Sequence, residues 1–228
     1  MTNEVEKWLV ATWLTKTPLF RRAAMMTLLC CALLFLGAAL YWQENQIFRD
    51  LLPANRELVF EKFEFWRLFT TLVAHADLGH LLANLSFFAI LAYLLFGYFG
   101  VWVFPVVSVL LAAVANLIAL STYPSQTFLI GASGLVHLMG GVWISLYFLI
   151  SRNHSISGRL LRSIGAMLTL FFPKSFDPQV SYRVHFIGLL LGLVYGAWYF
   201  WRHQNHLRAA EHHIVIEQPD LEQSLPPH

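Results

Sequence analysis

Residues 78–150 read LGHLLANLSFFAILAYLLFGYFGVWVFPVVSVLLAAVANLIALSTYPSQTFLIGASGLVHLMGGVWISLYFLI, without one Lys, Arg, Asp or Glu. A soluble helix buries one face and wets the other, so it cannot use so long an uncharged run. A bilayer can, because about 20 apolar residues cross its core once. The rest of the chain agrees. Of its 228 residues, 57% are hydrophobic and 12% are charged, about half the roughly 25% charge of a soluble domain. Mean hydropathy is +0.58. The net charge of +2 is small and the basic residues are scattered, so no nucleic-acid footprint is present. The expected fold class is an all-α membrane protein.

Six apolar segments are legible: 24–43, 79–99, 101–121, 131–150, 158–173 and 184–201. The fifth is short. The second and third are separated only by the turn around Gly97 and Gly100. Pro105 falls in the first turn of the third, where a missing N–H costs little. Residues 1–23 are polar with Trp8, Leu9, Val10, Trp13 and Leu14 interspersed and Lys7, Lys16, Arg21 and Arg22 alongside. This reads as a cytoplasmic amphipathic lead lying at the interface. Residues 202–228 are polar, end in Pro-Pro-His and lack an apolar period, which reads as a disordered cytoplasmic tail. Its His203, His206, His212 and His213 read as solvated side chains, and no metal or cofactor is expected. Cys30 and Cys31 are neighbours that point apart on a helix, so they read as packing residues.

Basic residues beside spans set orientation. With the N-terminus inside, the inner segments hold Lys7, Lys16, Arg21, Arg22, Arg152, Arg159, Arg162, Arg202 and Arg208. The outer ones hold Arg49, Arg56, Lys62, Arg67, Lys174 and Arg183. Four of the inner set adjoin the first span, so both termini are expected in the cytoplasm. The absence of a targeting extension before the first span points to a bacterial inner membrane.

Hydrogen-bonding groups inside spans are costly, and each asks for a reason. His80 and Asn84 begin the second span, Ser133 the fourth and His185 the sixth; His137 follows Ser133 by one turn. Even-numbered spans all run from outside to inside, so these residues share one membrane depth near the outer surface. His80 and Asn84 lie on one helix face, as do Ser133 and His137. Ser133 sits in Gly131-Ala132-Ser133-Gly134 at a helix start, whose free N–H groups can hold an oxyanion. A serine hydroxyl needs a base to attack, and histidine is the usual one. The sixth span continues with Gly188, Gly192 and Gly196, a face that admits a close neighbour. If it meets Gly134, Gly140 and Gly141, His185 comes close to Ser133. Singly, each feature has a plainer explanation: packing glycines, a proton relay, an interhelical hydrogen bond. The conjunction is what points to acyl chemistry.

Together these pieces resemble the rhomboid family. The resemblance rests on Trp66-Arg67, His75, His80-x-x-x-Asn84, Gly131-x-Ser133-Gly134 and His185-x-x-Gly188-x-x-x-Gly192, in that order, and it covers residues 24–201. It implies a six-transmembrane-helix rhomboid bundle and an intramembrane serine protease using a Ser–His dyad. Ser133 is then the nucleophile and His185 the base. His80, Asn84 and the Ser133 N–H form the oxyanion hole. The partners implied are membrane proteins cleaved within a transmembrane segment, with the site opening to the periplasmic side. The alternative is a non-catalytic relative that binds membrane helices, although such relatives usually lack the Ser or the His. A proton-coupled carrier is a weaker rival, because no repeated halves are visible.

Two departures stand out. Family members often carry Tyr four residues after the serine; His137 stands there, able to stack on His185, to hydrogen-bond to it or to compete as a base. Many members also have a Glu near the end of the second span, where this chain reads Tyr93-Leu-Leu-Phe-Gly-Tyr-Phe-Gly100. Support for the first outer loop must come from elsewhere. A His after the serine motif also resembles the rhombosortase branch, which processes C-terminal anchors of exported proteins.

Overall fold

The structure, a computed structural model, describes residues 6–43, 46–171 and 181–216. The last residues of the fifth expected span, Lys174 and the tail from 217 onward lie outside the described residues. The chain starts with strand β1 (Glu6–Ala11) and a short 3-10 turn, Trp13–Thr15. Helix α1 (Phe20–Trp42) follows. The first loop carries three short helices, α2 (Gln46–Leu51), α3 (Arg56–Phe60) and α4 (Arg67–Thr70). Helix α5 (Leu78–Phe99) leads through a π-helical turn, Trp102–Val107, into α6 (Ser108–Ser121). Then come α7 (Ser133–Ile150), α8 (Ile156–Phe171), α9 (Tyr182–Arg208) and strand β2 (His212–Ile216).

The all-α membrane fold expected from the composition is what the chain adopts. Five helical segments among the described residues are long and apolar enough to cross a membrane: α1, α5, Trp102–Ser121, α7 and α9. The fifth expected span falls on α8, which has 16 residues and carries Arg159 and Arg162. A helix of that length is about 24 Å long, short of a hydrocarbon core of about 30 Å. Its two arginines reach back to α7: Arg159 donates to the Phe148 carbonyl at 2.6 Å and Arg162 to the Tyr147 hydroxyl at 3.0 Å.

Burial grades across the bundle as a bilayer protein requires. The outer helix α1 has 28% of its apolar window buried and α7 has 67%, so α7 is the central post. Leu138, Met139, Val142 and Leu146 of α7 are fully buried, while Met25, Trp102 and Val194 face outward. Glycines let α9 lie directly on α7. A side chain at Gly188 would come within 2.5 Å of the Gly134 carbonyl, and one at Gly196 within 2.8 Å of the Val142 carbonyl. Gly192 lies against the Leu138 backbone and Gly141 against that of Leu189. Backbone-to-backbone contact of this kind gains dispersion energy where lipid offers no hydrophobic drive between helices.

Residues 6–11 and 212–216, read above as parts of an interfacial lead and a polar tail, pair with each other as an antiparallel ribbon. The register sets Trp8 opposite Ile214 and Leu9 opposite His213. The lead is pinned to the bundle as well: Trp13 Nε1 donates to the Tyr98 carbonyl at 3.0 Å, and Tyr98 donates its hydroxyl to the Leu14 carbonyl at 3.1 Å.

Candidate active site

Three helix starts meet at one end of the bundle. The Asp77 carboxylate accepts from the His80 N–H at 2.8 Å and so caps α5. This cap satisfies an orphan amide and fixes the first turn, where His80 stands. Asn84, one turn on, is buried, and its Nδ2 donates to the His80 carbonyl at 3.1 Å.

Both side chains face the loop before α7. Gly131 has φ +109°, a conformation that only glycine adopts at low cost. A Cβ there would lie 2.8 Å from His80 Cε1, 2.9 Å from His80 Nε2 and 3.8 Å from Asn84 Nδ2. The imidazole therefore rests on the Gly131 backbone. The loop is stitched to the first outer loop on its other side. Gly131 N–H donates to the Thr71 carbonyl at 2.9 Å, the Thr71 hydroxyl donates to the Leu129 carbonyl, and Leu129 and Ala54 exchange backbone bonds.

His75 locks the same junction. Ala132 N–H donates to its Nε2 at 3.4 Å, so the proton sits on Nδ1, which donates to the Val73 carbonyl at 3.2 Å. The ring is fully buried and stands edge-on to His80 at 5.1 Å. Burial pushes its pKa down to about 4, and the bond to Val73 only partly opposes this.

Ser133 is the first residue of α7, and no side chain caps that end. The first-turn amides of a helix have no intrahelical acceptor. The Ser133 carbonyl accepts from His137 Nδ1 at 2.7 Å. The His137 ring stacks on His185, with centroids 4.0 Å apart and planes 9° apart. His185 stands in the first turn of α9 and is 9% exposed. Its Nε2 is buried without a hydrogen-bond partner, so it is not bonded to the Ser133 hydroxyl. A small cavity beside Ser133 is lined by Thr71, Asn116, Gly131, Ser181 and Val184.

The arrangement thus brings Ser133, His137 and His185 to one place, with His80 and Asn84 across the Gly131 loop. It also uses Asn116, which the sequence reading passed over, and Arg67, which entered there only through the Trp66-Arg67 motif. Asn116, buried in α6, donates to the Leu68 carbonyl at 2.9 Å. Its signal was an amide in the middle of an uncharged span. Arg67 organises the first loop: it pairs with Glu64 and donates to the Asp50 and Pro53 carbonyls. With Asn116 and the Trp42 bond to the His75 carbonyl at 2.7 Å, it supplies the support for which no carboxylate was found at the end of the second span. The segment from Ser121 is held from both sides. Arg56 donates to the Ser121 carbonyl and Arg183 to that of Thr122, each at 2.8 Å, and Tyr123 and Ser181 share a hydroxyl bond of 2.6 Å.

A family model described as "Rhomboid domain" matches residues 62–202, more than half of the chain, a span that holds His80, Asn84, Ser133, His137 and His185. A search of curated proteins gave no match.

Proposed function

We propose, from the premise that this chain belongs to the rhomboid family, that it cleaves transmembrane segments of membrane proteins with Ser133 as nucleophile and His185 as base. The family is one of intramembrane proteases, and the chain is an integral, multi-pass membrane protein. The observation that carries the reading is the buried, unpartnered Nε2 of His185. Its ring is held by stacking on the imidazole that bonds the carbonyl of Ser133 itself. A buried nitrogen without a partner costs free energy and asks for a reason. A proton to be taken from a nearby hydroxyl is such a reason, and catalytic hydrogen bonds in free enzymes are often still open.

In this mechanism the Ser133 Oγ attacks the scissile carbonyl as its proton passes to His185 Nε2. The oxyanion is held by the Ser133 N–H and the side chains of His80 and Asn84. His185 then gives the proton to the leaving amine and the C–N bond breaks. Water attacks the acyl-enzyme, its proton passes to His185 and on to Ser133 Oγ, and the acid is released. Each role needs only a group already at the helix starts.

The substrate is a membrane helix that unwinds to present its backbone. The site opens to the outer, periplasmic face of a bacterial inner membrane, with both termini in the cytoplasm, as the basic residues at the first span favour. His137 after the serine motif favours a rhombosortase-like substrate, a C-terminal anchor.

A fluorophosphonate probe tests the dyad on purified, detergent-solubilised protein. Wild type and His137→Phe are expected to label, and Ser133→Ala and His185→Ala are not. A well-folded wild type that takes no label would overturn the dyad in favour of a non-catalytic binder of membrane helices.

A further inference from the structure

The β1–β2 ribbon lies outside the proteolytic site and has no part in it. It joins residues more than two hundred positions apart. Its strands pair with each other and have no comparable contact with any helix among the described residues. A lone two-stranded ribbon is marginal in water, so something else must sustain it. Four of its outward side chains are apolar, Trp8 at 53% exposed, Val10 at 48%, Ile214 at 52% and Val215 at 52%, and His212 and His213 are exposed beside them. Trp8 and Ile214 are cross-strand partners and share one face, and Val10 sits at the bulge between Leu9 and Ala11.

What covers that face follows from where the ribbon is rooted. β2 begins four residues after α9 ends, a reach of about 14 Å at most. The lead from β1 is tied to the end of α5: Leu19 N–H donates to the Gly97 carbonyl at 3.2 Å, beside the Trp13–Tyr98 bonds. Trp13 also packs on His206 of α9, with centroids 4.8 Å apart. Both strands are therefore held at the level where the spans leave the membrane. The cations around that rim are exposed: Lys16, Arg21, Arg22, Arg202 and Arg208. Beside the ribbon, Glu211 is already paired with Arg152 at 3.5 Å. Tryptophan and branched aliphatics ringed by cations match a membrane interface with anionic headgroups.

We infer that the ribbon docks on the bilayer itself, with Trp8, Val10 and Ile214 seated in the anionic headgroup region of the leaflet on the side of the two termini. The ribbon then fastens the first and last spans to each other and to that leaflet.

The test uses the full chain in nanodiscs containing anionic lipid, with Cys30 and Cys31 replaced by Ala. Nitroxides are placed singly through Val10→Cys and Ile214→Cys, and their collision rates with oxygen and with a water-soluble nickel chelate are compared. Both labels are expected to meet oxygen more often than nickel, and to shift toward nickel when the anionic lipid is replaced by a zwitterionic one. A Leu9→Cys, His213→Cys pair is expected to form a disulfide, which verifies that the ribbon is closed. Labels that meet nickel as freely as a soluble control, with the ribbon closed, would overturn the inference. Spin–spin broadening between copies would assign the face to a second chain instead, and a pair that fails to cross-link would remove the ribbon altogether. None of these readouts depends on proteolysis.

Discussion

The imidazole rings of His137 and His185 stack with their centroids 4.0 Å apart and their planes 9° from parallel. Because His137 is itself tied to the Ser133 carbonyl at 2.7 Å, the stack transmits the position of α7 to the ring on α9. If His137 acts by stacking, an aromatic replacement keeps the contact and a small one loses it. His137→Phe is expected to retain turnover of a transmembrane reporter within a few-fold. His137→Ala should lose about threefold to tenfold, the equivalent of the 0.5–1.5 kcal/mol of an aromatic pair. Equal large losses in both variants would make His137 a chemical participant.

Asn84 offers a cleaner separation of stability from chemistry. Its described bond, to the His80 carbonyl, stays within α5 and ties no other element. Asn84→Ala should therefore leave the melting temperature almost unchanged. As an oxyanion donor it should cost about 10²–10³ in turnover, while probe labelling of Ser133 falls less. Turnover at the wild-type level would remove Asn84 from the oxyanion role.

The spans were legible because a bilayer demands both length and apolarity, and the stretch 78–150 meets both without a charge. Alternating span direction over six expected spans led to one depth for His80, Ser133 and His185; the three stand in the first turns of α5, α7 and α9. Other features leave no local signal. The first loop folds around Arg67, whose acceptors are carbonyls of Asp50 and Pro53, and carbonyls have no sequence signature. Helices α2 to α4 are four to six residues long, too short to nucleate alone. The ribbon pairs Trp8 with Ile214, and period-based reading cannot see a partner so far along the chain. The length of α8 was ambiguous for a different reason: its apolar residues continue toward Phe171, but two arginines in its first half bond back to α7.

His75 carries a pH dependence whose sign is fixed by its surroundings. It lies in the loop before α5, and burial lowers its pKa from 6.5 to about 4. The unfolded chain therefore takes up a proton near pH 6.5 that the folded chain refuses until near pH 4. The stability due to neutral His75 is complete above pH 6.5 and declines as pH falls toward 4. Protonation at Nε2 would also displace the Ala132 N–H that this nitrogen accepts. Melting temperature measured across this window should fall with pH in the wild type and fall less steeply in His75→Gln. Parallel slopes in the two proteins would show that other groups carry the acid sensitivity.

Gly131 should resist replacement on two counts, its backbone conformation and the ring seated on it. Its φ of +109° is one that L side chains rarely adopt, at roughly 1–2 kcal/mol per residue. An added Cβ would also strike His80 at 2.8 Å. The ring would have to leave the Gly131 backbone, and Asn84 Nδ2 lies only 3.8 Å from the same point. Gly131→Ala is therefore expected to lower both the melting temperature and turnover. Gly165→Ala provides the control: nothing lies within 4 Å of its Cβ position, and Ala is favoured over Gly in a helix by about 1 kcal/mol. That variant should melt at or slightly above the wild-type temperature with turnover unchanged. If Gly131→Ala behaved like Gly165→Ala, the close seating of His80 on the loop before Ser133 would be wrong, and the oxyanion role of His80 would have to be withdrawn with it.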